Sequence, residues 1–170
     1  MKHSLSVLIL ILALFASMLV MLGILIAGIV FSRDEAWENI TDISQVTDEV
    51  LSDNTQSYKS INFGSRVSGF KSVDYYSCNW ESLEGENQII RVKSDEDTSA
   101  EVYLQTDDNS SNNFILAVVN PDNTVTRLED GNQNIPIQKG TNRIILACVG
   151  ESNGFTLEIL DDGGARFIED

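Results

Sequence analysis

The sequence predicts an all-β fold, an antiparallel β-sandwich or jelly roll, with one N-terminal transmembrane helix and a short juxtamembrane helix ahead of it. Three observations lead there. From about Ile61 onward, apolar and polar residues alternate with a period of two, which turns one face of each strand inward and the other outward. The alternating runs are short, evenly spaced and divided by turn-forming residues, with no helical stretch between them, the pattern of sandwiches and jelly rolls. Finally, residues 5–31, "LSVLILILALFASMLVMLGILIAGIVF", contain no charge.

That run is long enough to span a bilayer. As a helix rising about 1.5 Å per residue it reaches roughly 40 Å, against a hydrocarbon core of about 30 Å. A cleaved secretory signal is the rival reading, since "MKH" makes a short basic start. Signal cores run about 7–15 residues and end at a small-x-small site, and "AGIVFSRDEA" offers no clean one. The expectation is therefore a signal anchor over 5–31 in the plasma membrane, with 1–4 as a cytoplasmic tail. Lys2 and Arg33 balance across the run. The α-amino group and His3 tilt it toward an inside N-terminus and an extracytoplasmic β-domain.

Residues 32–60 read as a juxtamembrane amphipathic helix and linker. Ser32 and Glu35 have capping-box spacing. Trp37, Ile40, Ile43, Val46 and Val50 then recur every three or four residues, which lines them along one side of a helix. Beyond it, strands are expected near 62–68, 70–80, 86–93, 100–106, 114–120, 123–128, 134–138, 142–149 and 154–160. The sandwich then occupies 61–160, and 161–170 is a C-terminal tail whose Phe167 and Ile168 either dock or do not. "NPDNT" (120–124) places Pro at the first central turn position and is a hairpin signal. The glycines of "QKGTN" and "GESNG" suit positive φ.

The stretch "FILAVVNPDNTVTRLEDGNQNIPIQKGTNRIILACVGESNGFTLEIL" resembles the C-terminal half of small single-pass or lipid-anchored surface proteins of Gram-positive (Firmicutes) bacteria. It is more distantly similar to the jelly-roll pre-peptidase C-terminal domains of secreted bacterial peptidases. In both, a hairpin precedes a strand opened by Lys-Gly, and a strand with Gly before an aromatic follows. The resemblance covers about 63–160. It implies a fold and a surface location, and it carries over no site residues.

Chemistry is sparse. His3 is the one histidine and precedes the hydrophobic run. Ser-His-Asp or Cys-His catalysis and histidine zinc sites therefore lack their imidazole in the β-domain. No P-loop or dinucleotide-binding glycine pattern occurs, and the chain is expected not to be an enzyme. All 26 acids, but neither Lys2 nor Arg33 of the 11 bases, follow Arg33. A field of that sign repels nucleic acid. No cofactor is expected except calcium, for which Asp95, Asp97, Asp107 and Asp108 in two acidic loops supply oxygen donors, with solvated turns as the plainer reading.

In "YYSCNW" (75–80), alternation sets Tyr76, Cys78 and Trp80 on one face and Tyr75 on the other. The resemblance turns Ile144, Leu146 and Cys148 inward. Cys78 and Cys148 then share a core, as a disulfide or as two buried thiols. Tyr75 and Tyr103 are left as ligand-contact candidates. The expected function is a cell-surface binding or interaction module for a protein or carbohydrate ligand, tethered to the lipid bilayer through 5–31. The alternative is an accessory subunit of a membrane complex, working through anchor and stalk.

Overall fold

The computed structural model describes residues 37, 39–53, 57–61, 63–69, 72–107, 113–150 and 153–169. The expected span over 5–31 lies outside them. Among the described residues no helix is long and apolar enough to cross a membrane. Residues 40–170 form one compact unit, and of the preceding unit, Met1–Asn39, only Trp37 and Asn39 are described.

Eleven strands are seen among the described residues: β1 (Ser57–Ile61), β2 (Gly64–Ser68), β3 (Tyr75–Trp80), β4 (Ser82–Ser94), β5 (Thr98–Thr106), β6 (Phe114–Val119), β7 (Val125–Arg127), β8 (Gly131–Ile137), β9 (Gly140–Val149), β10 (Asn153–Asp161) and β11 (Arg166–Glu169). They form two antiparallel sheets packed as a β-sandwich. One is six-stranded, in the order β1-β4-β9-β6-β7 with β11 also on β4; the other is five-stranded, β2-β3-β10-β5-β8. β4 is 13 residues long, so β1 pairs with its first part and β11 with its last. Apart from the β6–β7 and β2–β3 hairpins, consecutive strands from β2 to β10 cross between the sheets. A sandwich core of this kind depends on pairing between strands distant in sequence.

Alternation gives the core its composition. Tyr76, Cys78 and Trp80 from β3, Val102 and Leu104 from β5, Leu116 and Val118 from β6, Ile144 and Leu146 from β9, and Phe155 and Leu157 from β10 are all buried between the sheets. Trp80 meets Phe114 edge-on at 5.6 Å, and Phe114 stacks on Phe155 at 5.8 Å. Tyr76 stacks on Phe155 at 6.1 Å, so one aromatic cluster ties the two sheets together. Pairs of this geometry add about 0.5–1.5 kcal/mol beyond their area. Asn142 is fully buried, but its amide donates to the Val92 and Gln138 carbonyls while its oxygen accepts from the Gln138 N–H. The expected hairpin at "NPDNT" joins β6 to β7. There the Asn123 N–H donates to the Asn120 carbonyl, and Asn123 takes the left-handed conformation at φ 67°.

One expectation is corrected and one open point is closed. The helix expected within 32–60 is not one element: the structure has a 3-10 helix (Ile43–Gln45), α1 (Asp48–Ser52) and then strand β1. Asp42 accepts from the Ser44 N–H and Thr47 from the Val50 N–H. Each of these side chains starts a new helix by capping it, which competes with continuing the old one. The tail also docks. β11 pairs with β4, Phe167 is buried in the core, and its N–H donates to Ser72 Oγ.

Candidate functional site

The two outer faces of the sandwich carry different chemistry. On the five-stranded sheet, β10 runs between β3 and β5, and its Glu158 pairs with Tyr75 on one side and Tyr103 on the other. The row continues to Ser68 on β2 and Asn132 on β8. Neighbouring strands are about 4.8 Å apart, so the two tyrosine positions lie roughly 10 Å from each other. Both tyrosines are half-buried, while Leu160, on the same face two residues beyond Glu158, is 49% exposed. Tyrosine offers a rigid apolar face with a polar tip, and two of them flanking a carboxylate make a flat surface suited to a hydroxylated ligand. The sequence put Tyr75 on an outer face and named Tyr103 as a contact candidate beside it. Their shared row comes from β10 slotting between two strands that begin 78 and 55 residues before it.

The outer face of the six-stranded sheet is covered. Ala117, Val119, Ile145 and Ala147 point away from the central core yet are buried. Residues 40–53 lie over them as a strap, with Val46 and Leu51 fully enclosed. Arg127 Nη2 donates to the Val46 carbonyl at 2.8 Å and to Asp48 Oδ1 at 2.9 Å. Arg143 Nη2 donates to the Ser52 carbonyl at 2.9 Å. In the same layer Glu86, opposite Ala147 on β9, is 2% exposed, and its Oε2 has no hydrogen-bond partner. Burial pushes its carboxyl up to about 8; Asp53 adds to the rise and Arg143 opposes it. Beside the strap, Gln88, Arg91, Asn120, Thr141 and Arg143 line an open polar groove of about 480 Å³.

The remaining candidates are dispersed. Asp95 and Asp97 precede β5 and Asp107 follows it, so roughly 30 Å of strand separates the two loops. Asp97 Oδ1 accepts from the Lys139 N–H, which gives it a structural role at the β8–β9 connection. Asp108 lies outside the described residues. Among the described residues no group of three or more His, Cys, Asp or Glu side chains is placed to hold a metal ion. Cys78 and Cys148 both enter the core, from opposite sheets, and carry thiols rather than a disulfide. Burial raises the Cys78 thiol far above its ordinary value, with Asp107 and Cys148 adding to the rise. Sequence reasoning missed Glu86, whose place in the alternation of "SLEGENQ" reads as solvent-facing.

No protein-family model matches the chain, and no curated protein matches it. Solved structures that it resembles include a variant of salicylate 1,2-dioxygenase from Pseudoaminobacter salicylatoxidans in complex with gentisate. That likeness has a TM-score of 0.30 and 13% identity, over 64% of this chain and 29% of that one. Another is vicilin from Corylus avellana (hazelnut), at a TM-score of 0.24 and 11% identity, over 66% of this chain and 36% of that one. The chain spans about a third of the length of each. The expectation that the chain is not an enzyme is withdrawn, because an enzyme stands among these structures. At such scores the likeness carries no activity over to this chain.

Proposed function

We propose that this protein is a membrane-anchored, extracytoplasmic binding module that takes carbohydrate on the outer face of its five-stranded sheet. The observation that carries the reading is the row Tyr75–Glu158–Tyr103 across three adjacent strands. Two aromatic faces roughly 10 Å apart suit alternate rings of an extended glycan, and Glu158 between them accepts hydrogen bonds from its hydroxyls. Glu101 and Asp161, paired next along the same strands, make an anionic glycan the wrong ligand, so the module takes a neutral one. The resemblance to bacterial surface proteins and the uncharged run over 5–31 support the anchored, surface location. The strand order β3-β10-β5-β8 against β4-β9-β6-β7 supports reading the sandwich as a jelly roll.

The test is a panel of immobilised neutral and acidic glycans probed with the full-length chain in detergent micelles. A neutral glycan should be retained, and a combined Tyr75→Ala, Tyr103→Ala variant should lose at least about tenfold in affinity, the loss of about 1.4 kcal/mol of contact. Retention of acidic glycans alone, or a double variant that binds as well as the parent, sinks the reading.

The accessory-subunit reading has its own observation, the strap that Arg127 and Arg143 fasten to the sheet. It predicts membrane partners that co-purify with the full chain and disappear when residues 1–33 are deleted.

A further inference from the structure

The strap precedes β1 in the chain, and beside its last residues lies Glu86, buried with an Oε2 that has no hydrogen-bond partner. A buried polar atom without a partner costs free energy, and an ionised one costs more. Glu86 therefore favours the closed layer only while it holds a proton. We propose that residues 40–53 form a pH-sensitive strap, closed over the six-stranded sheet when Glu86 is protonated and released when it ionises.

The charges facing Glu86 come from each element packed around it. From the strap, Asp53 repels its anion, and from β9, Arg143 attracts it. Arg143 is itself engaged, donating to the Ser52 carbonyl at the end of α1. On β4, Glu84 is two residues away on the same face and exposed, and β1 pairs with Glu86 in register at position 57. At the far end of the strap, Asp48 and Arg127 pair with each other at 2.9 Å and add no net charge to the layer. β6 contributes apolar residues alone.

Two negative groups, Glu86 and Asp53, thus meet one arginine where the strap ends. The cheapest relief of an ionised Glu86 is to lift that segment and leave the aromatic core between the sheets closed. Release would free 14 residues, up to about 45 Å of extended chain, ahead of β1. The sign follows from the protons bound. The closed state keeps the Glu86 proton to about pH 8, whereas the open state loses it near the ordinary value of 4.5. Between those limits the opening constant rises with pH by up to about tenfold per unit, the slope of one proton.

The experiment is a spin-label distance measurement on the full chain in detergent micelles, with labels at Glu49→Cys on the strap and Asn134→Cys on β8, both exposed sites. At about pH 5.5 the distance distribution should be narrow, and at about pH 9 it should broaden and lengthen, with near-ultraviolet circular dichroism from the core unchanged. Glu86→Gln should stay narrow at both values. An unchanged parent distribution, a Glu86→Gln variant that opens with the parent, or loss of the core signal together with the strap overturns the proposal. Should Glu86→Gln fail to fold, Asp53→Asn replaces it. That variant must shift the opening to higher pH, and no shift overturns the proposal as well.

Discussion

The two outer faces of this sandwich are built from the same alternation and end in opposite states. The five-stranded sheet shows Tyr75, Glu158 and Tyr103 to solvent, and among the described residues no helix lies over it. The six-stranded sheet presents Ala117, Ile145 and Ala147 at equivalent outer positions, and a segment from far upstream hides them. The difference is one of side-chain chemistry. Small and aliphatic residues on an outer face recover free energy only when covered, at about 25 cal/mol per Å². A tyrosine can stay half-wet and keep its hydroxyl satisfied. One face is thereby left for a ligand, and the other is spent on holding the chain's own strap, together with a buried acid that makes the hold conditional.

The largest effects should come from the layer that the two faces share. Trp80→Ala or Phe155→Ala removes a member of the aromatic cluster and should cost about 3–5 kcal/mol of global stability, read as a drop in thermal midpoint. Leu51→Ala, on the buried side of the strap itself, should cost about 2–3 kcal/mol, expressed as local opening. Amide exchange should therefore quicken over 47–53 and stay slow in β9. A variant that exchanges faster everywhere would merge the two regions into one cooperative unit.

Next in size is the pH response. Glu86 has its folded-state value raised to about 8 from 4.5. Its contribution is fully present below 4.5 and is lost as pH rises toward 8. Denaturant titrations of the parent should show stability falling across that window, with a shallower fall in Glu86→Gln. Smaller still is Arg127→Ala, which breaks the exposed pair with Asp48 and should cost about 0.2–1 kcal/mol from the pair itself. The thiols give a yes-or-no result: Cys78 and Cys148, both buried, should alkylate only after unfolding, as read by intact mass.

Much of the fold could be read from the residues themselves. "YYSCNW" alternates, and Tyr76, Cys78 and Trp80 are buried while Asn79 is exposed. "NPDNT" closes the hairpin at which its proline and asparagines aim. What could not be read depends on which distant segments meet. Alternation places Tyr75 and Tyr103 outside, but nothing local says that β10 will join them into a row. Glu84, Glu86 and Gln88 look alike as outward polar residues. Only Glu86 is buried, beside Asp53 of a strap that lies at least 33 residues upstream. The same long-range meeting turned an amphipathic pattern at 40–50 into two capped turns pressed on a sheet, because Asp42 and Thr47 take their own backbone as partner.

The most direct test of the contrast between the faces is hydroxyl-radical footprinting of the full-length chain, read at Tyr75, Tyr103, Val46 and Leu51, at about pH 5.5 and about pH 9. The expected result is labelling of both tyrosines at both pH values, with Val46 and Leu51 protected at the lower pH and labelled at the higher. Protected tyrosines, or strap residues labelled equally at the two pH values, would contradict it.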